Sequence, residues 1–249
     1  MVFPVLRKNC VKTKNAKQTF VGRPANVCFA VTRPFFAAQR LIIMVKEPRL
    51  GAVKTRLGRE IGAAAATGFY RAVSANLIRR LGGDPRWRLV LAVAPDGALA
   101  SGGWPGPGDR VPQGRGDIGE RMLRLLRRQG AGRTILIGSD IPGVRAEHIA
   151  EAFGSLTRHE LVFGPADDGG FWLVGGRRQS VPAGLFSGVR WSSPHALADT
   201  LKNCDGRTVS FAATLSDVDD AQDYTRQAQA GRCVTPLGGI SPSRGSPVR

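Results

Sequence analysis

Short apolar segments alternate with helical patterns along residues 41–230, and this alternation constrains the fold more than any other feature of the chain. A continuous apolar run of a few residues bounded by Gly or Pro is typical of a buried strand, whereas apolar residues repeated every three to four positions indicate a helix. Strands that alternate with helices form a mostly parallel sheet with helices on both faces. The sequence therefore predicts one α/β domain.

The individual elements follow from the same periodicities. Strands are predicted at 41–45, 87–94, 134–138, 160–164, 171–174 and 208–212. Helices are predicted at 57–81, 117–129, 146–156, 195–201 and 221–230. Residues 97–116 are rich in Gly and Pro, which predicts a loop. Only a short turn separates the strands at 160–164 and 171–174, so one antiparallel pairing is expected there.

The positive charge of the chain is concentrated at its ends. The net charge is +17, but residues 1–40 carry eight Lys or Arg and no acid, and residues 231–249 carry three Arg and no acid, which leaves 17 − 8 − 3 = +6 for 41–230. No basic stripe with interleaved aromatic residues accompanies this charge, so we expect no specific nucleic-acid binding. Residues 1–40 are predicted to be a basic, disordered extension, residues 41–230 the domain, and residues 231–249 a disordered tail.

The four cysteines show no spacing typical of a zinc or redox site. A reduced, cytoplasmic protein is the simplest interpretation. No apolar run reaches the roughly 18 residues that a membrane-spanning helix needs, so no membrane span is expected.

A basic loop follows the first predicted strand. Residues 46–57 read KEPRLGAVKTRL, and this segment leads into the first predicted helix. Open α/β sheets bind phosphorylated ligands at the carboxyl ends of strands, next to a helix N-terminus. Gly51 would let the backbone approach an anion, and Lys46, Lys54 and Arg56 would supply charge. The spacing is not that of a Walker A loop, and the alternative is a solvated basic loop.

Asp140 follows the strand predicted at 134–138. A carboxylate at this position, facing the phosphate-binding loop, is suited to Mg²⁺, which prefers one or two carboxylates together with substrate phosphates. The alternative is that Asp140 caps the next helix. Near the end of the domain Asp219 lies in an acidic cluster that precedes the last predicted helix, and it is either a second metal ligand opposite Asp140 or a helix cap.

Two further segments carry possible site residues. Asp167 and Asp168 precede two glycines, which indicates either a tight turn or a place where the backbone approaches a substrate. Gln113 and Gly114 begin a flexible stretch before the helix predicted at 117–129, where a base or ribose could bind. His195 is expected to be structural.

Five ordered motifs together resemble a known family. They are KEPRLGAVKTRL (46–57), GDIGERM (116–122), GSDIP (138–142), GPADDGGF (164–171) and DVD (217–219). This set resembles the DUF2064 family of bacterial proteins, often labelled as glycosyltransferases, and more distantly 2-phospho-lactate guanylyltransferase and molybdenum cofactor guanylyltransferase. The resemblance covers about residues 41–229. It departs from the family at Phe171, where Tyr is frequent, and in the residues that follow Asp219.

The resemblance implies a single Rossmann-like GT-A domain, the fold of nucleotide-diphospho-sugar transferases. It implies that Lys54 and Arg56 contact phosphates and that 113–116 lies near the base or ribose. It also implies that Asp140 and Asp219 hold Mg²⁺ or Mn²⁺. Asp140 is then a catalytic residue through the metal, and Asp168 is a candidate for positioning or deprotonating the acceptor.

The expected activity is metal-dependent transfer from a nucleotide-sugar to a small-molecule acceptor. One alternative is a nucleotidyltransferase that joins a nucleoside triphosphate to a small phosphorylated acceptor. Another is a nucleotide-binding module without enzymatic activity. Both transferase reactions depend on positioning and on stabilising negative charge, so one site made of cations and carboxylates serves either.

Overall fold

The protein is described by a computed structural model that covers residues 39–101, 104–106, 108–128 and 132–216, together with residues 223 and 225. Seven strands and five α-helices lie in these residues. The strands are β1 (Gln39–Lys46), β2 (Arg88–Ala94), β3 (Asp109–Pro112), β4 (Arg133–Ile137), β5 (Leu161–Pro165), β6 (Phe171–Arg177) and β7 (Val209–Phe211). The helices are α1 (Thr55–Ile61), α2 (Ala63–Gly82), α3 (Ile118–Arg128), α4 (Ala146–Ser155) and α5 (Ala196–Lys202).

All seven strands form one sheet in the order β3-β2-β1-β4-β6-β5-β7. Neighbouring strands pair in parallel, except that β6 is antiparallel to both β4 and β5. The antiparallel pairing predicted for 160–164 and 171–174 is therefore confirmed, as the pairing of β5 with β6. Strand β6 lies between β4 and β5 in the sheet, an order that local sequence signals could not indicate.

Helices cover both faces of the sheet, as predicted. On one face α2 and α4 bury Leu77, Leu81 and Phe153 against side chains of β1, β2 and β4. On the other face α3 buries Met122 and Leu125 against a second cluster, to which α5 contributes partly buried leucines. Because strand side chains alternate between faces, these two clusters make the sheet the middle layer of a three-layer α/β domain.

Two of the predicted elements require correction. The helix predicted at 57–81 is two helices, because Gly62 between them has φ 88° and ψ 145°, which is outside the helical region. The predicted loop at 97–116 contains the edge strand β3, which pairs with Val90–Val93 of β2. The Gly and Pro residues around β3 mask a strand of only four residues.

The bounds of the other predicted elements in the described residues agree with the structure to within a few residues. The capping box at the start of α3 is present: the Glu120 amide donates to Asp117 Oδ1 at 2.8 Å, and the Asp117 amide donates to Glu120 Oε2 at 2.9 Å.

The helix predicted at 221–230 and both predicted tails lie outside the described residues, apart from residues 223 and 225. The domain limits therefore stay a prediction. Among the described residues, no helix is both long enough and apolar enough to cross a membrane.

Candidate active site

The strand order places a crevice beside β1. From β1 the chain proceeds to β2 and β3 on one side, and it then returns to β4 on the other side. At such a reversal the loops that leave two neighbouring parallel strands diverge, which opens a binding crevice at their carboxyl ends. A cleft of about 490 Å³ lies there, lined by residues that follow β1, β3 and β4 and by the first residues of the reversed strand β6.

Lys54 and Asp140 meet in this cleft. Lys54 Nζ lies 2.7 Å from Asp140 Oδ2. The Lys54 side chain is only 6% exposed, whereas that of Asp140 is 32% exposed, so the carboxylate keeps an open side. The pair joins the loop after β1 to the loop after β4, as expected if both predicted motifs belong to one site.

The backbone of Lys54 is in the left-handed region, with φ 45° and ψ 51°. This conformation costs a residue with a side chain roughly 1–2 kcal/mol, and such residues concentrate at functional sites. Because Lys54 precedes the first residue of α1, the left-handed turn directs its side chain into the cleft at the start of that helix.

Tyr70 connects the ends of β1 and β4 from the side of α2. Its hydroxyl oxygen accepts a hydrogen bond from the Lys46 amide at 2.8 Å and shares another with Ser139 Oγ at 2.9 Å. Burial raises the pKa of Tyr70 above its ordinary value, so the hydroxyl stays protonated at neutral pH. Lys46, Tyr70 and Ser139 all line the cleft.

A second cavity of about 650 Å³ is adjacent to the cleft. Lys46 and Arg121 line both spaces, so two cations stand at the border between them. Asp96, Gly114 and Arg115 line the second cavity and not the cleft. The Gly114 amide donates to Asp96 Oδ1 at 3.0 Å, which fixes the start of this loop.

Gln113 lines the cleft but has a structural task as well. It is buried, and its Nε2 donates to the carbonyl oxygens of Val45 at 3.0 Å and Ala92 at 2.9 Å. These bonds hold the ends of β1 and β2 together. Contact between Gln113 and a base or ribose remains a prediction.

Three predicted residues do not line either space. Gly51 has φ 71° and forms the turn of the basic loop, and Arg56 is exposed in the first turn of α1. Asp168 is exposed in the turn that joins β5 to β6, where its Oδ1 accepts the Gly170 amide at 2.9 Å. The structure therefore contains the predicted tight turn at this motif. That Asp168 positions or deprotonates the acceptor substrate remains a prediction. Asp219 lies outside the described residues.

The structure adds Tyr70, Ser139 and Arg121 to the residues named from sequence. Arg121 belongs to one of the five motifs, and its Nε donates to the Gly116 carbonyl oxygen at 2.9 Å. Ser139 directly precedes Asp140 and was therefore within reach of sequence reasoning. Tyr70 carries no local signal, because it lies on the buried side of a long helix among apolar residues.

The site is compatible with a divalent cation. Within the described ranges no group of three or more His, Cys, Asp or Glu side chains converges, so a metal cage made of protein ligands alone is not found there. Mg²⁺ does not need one, since it retains water and binds substrate phosphates beside one or two carboxylates. The partly exposed Asp140 carboxylate, beside cations suited to phosphates, fits this mode of binding.

Comparison with known proteins finds one matching family model. Residues 77–193 match the model of a family described as an uncharacterized protein conserved in bacteria (DUF2064). None of the curated proteins matches this sequence significantly.

Solved structures share the fold. A crystal structure of a candidate nucleotide-diphospho-sugar transferase from Desulfovibrio desulfuricans is 28% identical, with a TM-score of 0.73, over 80% of this chain and 90% of that one. The 4-diphosphocytidyl-2C-methyl-D-erythritol synthase from Anaerococcus prevotii has a TM-score of 0.52 at 11% identity, over 79% of this chain and 100% of that one. The second similarity concerns the fold alone. The predicted nucleotide-diphospho-sugar transferase fold is confirmed.

Proposed function

Because residues 77–193 match the model of the DUF2064 family and the fold is that of nucleotide-diphospho-sugar transferases, we propose that this protein transfers a sugar from a nucleotide-diphospho-sugar to a small-molecule acceptor. The reaction class needs a site that binds a diphosphate and stabilises it as it departs. The cleft beside β1 is lined by cations and one carboxylate, which are suited to binding a diphosphate.

The observation that carries the proposal is the Lys54–Asp140 pair at the carboxyl ends of β1 and β4. Lys46, Lys54 and Arg121 line the cleft against one acid, Asp140. Fixed cations stabilise the negative charge that develops on a leaving diphosphate, and they act most strongly where water is partly excluded. Arg121 is suited to bind two phosphate oxygens at once, and Lys54 acts as a point charge.

Asp140 is the proposed ligand of Mg²⁺ or Mn²⁺, with Asp219 as the second predicted ligand. A bound divalent cation would neutralise charge on the diphosphate. Lys54 positions the Asp140 carboxylate by pairing with one of its oxygens. Tyr70 and Ser139 keep the two strand ends at a fixed separation, so that the phosphate-binding side chains and the carboxylate stay in register.

The first test is a thermal-shift screen of nucleoside diphosphates and nucleotide-sugars, with and without Mg²⁺. A ligand that binds only the folded state raises the melting temperature by mass action. We expect a specific nucleotide-sugar to do so in a Mg²⁺-dependent manner. Product analysis then separates the reactions: release of a nucleoside diphosphate indicates glycosyl transfer, whereas release of pyrophosphate from a nucleoside triphosphate indicates nucleotidyl transfer and overturns the proposal.

The second test uses variants of the cleft. Lys54→Gly removes the ammonium while glycine accepts the left-handed backbone without strain, and Arg121→Gln removes the cation at the border of the two cavities. Each is expected to weaken nucleotide binding by about tenfold or more, since charged hydrogen bonds contribute roughly 1.5–3 kcal/mol. Arg128→Gln is the matched control, because Arg128 is exposed on the same helix as Arg121 and does not line the cleft. Unchanged affinity in both cleft variants would exclude this site.

A further inference from the structure

The cleft has an apolar half that the phosphate-binding residues do not use. It is lined by Met44, Ile118, Met122, Leu136, Phe171 and Val174. Met122, Leu136 and Val174 belong to the core cluster beneath α3, and Met44 and Phe171 pack against that cluster. The apolar half therefore continues the core under α3 up to the edge of the sheet, whereas Lys54, Ser139 and Asp140 line the polar half.

The walls of the apolar half are held in place before any ligand binds. The Phe171 ring stacks on Phe186 with centroids 6.3 Å apart, and it meets Phe163 and Trp191 edge-on at 5.6 Å and 6.2 Å. Leu136 and Val174 are register partners across β4 and β6 and form the floor. A rigid apolar wall binds an apolar group without the cost of ordering side chains.

Ile118 leaves an apolar surface at the rim of this half. Ile118 is the first residue of α3, lines the cleft and is 41% exposed. An exposed apolar side chain at the mouth of a pocket gains free energy when a ligand covers it. At this rim Ile118 therefore favours an apolar group of a ligand over a charged one.

The position of the cations indicates which part of the reaction uses the apolar half. Lys46 and Arg121 line both cavities, so a diphosphate that contacts both lies at the border. The second cavity presents Asp96 and Arg115, which suit the polar edges of a nucleoside. With the nucleoside on that side, the apolar half lies across the phosphates from it, where the sugar is transferred.

Resting on the proposed function, we infer that the apolar half binds the body of the acceptor, and that the acceptor is an alcohol carrying an aromatic or aliphatic group. Its hydroxyl would face the Lys54–Asp140 pair. The hydroxyl oxygen attacks the anomeric carbon, and a new carbon–oxygen bond forms. The bond from that carbon to the diphosphate breaks and its electron pair leaves with the nucleoside diphosphate. The hydroxyl proton is released to water.

The inference is tested with two probes that share a sugar and differ in the apolar body, methyl β-D-glucopyranoside and phenyl β-D-glucopyranoside. Binding is followed by saturation-transfer NMR on the full chain. The phenyl probe should bind wild type roughly tenfold more tightly, because its ring buries apolar surface. Ile118→Ser should reduce that preference, because it removes the exposed apolar surface at the rim while the Phe171 wall remains. Phe211→Ser is the matched control, because Phe211 is an exposed apolar residue, 54% exposed, that lines neither cavity.

Three results would overturn the inference: equal binding of both probes to wild type, an undiminished preference in Ile118→Ser, or displacement of the phenyl probe by adenosine. The last result would assign the apolar half to the nucleobase. The nucleotide-induced rise in melting temperature, measured on the same samples, separates these failures from a failure of the proposed function. If the rise persists while the probe preference is absent, only the acceptor assignment is wrong.

Discussion

At the scale of single residues, one hydroxyl connects two strands at the site. Tyr70→Phe removes the acceptor of the Lys46 amide and the partner of Ser139 while it keeps the ring in the core. We expect a loss of about 1–2 kcal/mol in the free energy of unfolding, because a partly buried donor is left without its partner. Urea denaturation measures this loss.

The control for Tyr70→Phe is Thr157→Val. Thr157 also donates a hydroxyl hydrogen bond, to the Gly154 carbonyl oxygen at 2.7 Å, but in an exposed position where water can replace the bond. Its replacement should change the free energy of unfolding by less than about 0.5 kcal/mol. Equal losses in the two variants would show that the Tyr70 hydroxyl has no special structural role.

Sequence reasoning identified both members of the Lys54–Asp140 pair but not their contact. A cation after the strand predicted at 41–45 and a carboxylate after the strand predicted at 134–138 are visible in the sequence. Their approach to 2.7 Å depends on the neighbouring positions of β1 and β4 and on the left-handed backbone of Lys54. A non-glycine residue rarely adopts this conformation, so no propensity predicts it.

At the scale of elements, Gly62 separates α1 from α2. Its φ of 88° is strained for any residue with a side chain, although an added Cβ would meet no atom within 4 Å. Gly62→Ala should therefore destabilise the fold by roughly 1–3 kcal/mol through backbone strain alone. The shift of the urea midpoint measures it.

Gly83→Ala is the matched control for this prediction. Gly83 ends α2 with φ −88° and ψ −6°, and an added Cβ there also meets nothing within 4 Å. Alanine accepts this conformation and restricts the unfolded chain, so the change should be neutral or stabilising by up to about 1 kcal/mol. A similar loss in both variants would show that the positive φ of Gly62 is not the cause of the loss.

The reversed strand β6 is the element that completes the cleft. Because β6 runs against β4, its first residues lie beside the carboxyl end of β4, where Phe171 and Trp172 become walls of the site. A parallel strand in this place would present its last residues instead. The sequence shows a turn between β5 and β6, but it does not show that β6 inserts between β4 and β5.

At the scale of the whole molecule, the charge of the cleft predicts a dependence on salt. Raising the ionic strength from about 0.1 M to about 1 M shortens the screening length from about 10 Å to about 3 Å. Binding of inorganic pyrophosphate should weaken by about tenfold or more over this range, and less in Arg121→Gln. Isothermal titration calorimetry with Mg²⁺ present measures it, and phenyl β-D-glucopyranoside, which is uncharged, should show no such loss. Salt-independent binding of pyrophosphate would contradict a cationic site.

The sequence by itself determined the order of most helices and strands, the α/β class and the motifs that follow β1, β3 and β4, because periodicity, capping and strand-end residues act locally. It did not separate α1 from α2 or reveal β3, since Gly62 and the Gly-rich surroundings of β3 have several local interpretations. Only the tertiary structure decided the strand order, the Lys54–Asp140 contact, the task of Tyr70 and the apolar half of the cleft. These depend on residues far apart in the chain, whose proximity is set by packing the whole sheet between its two helical layers.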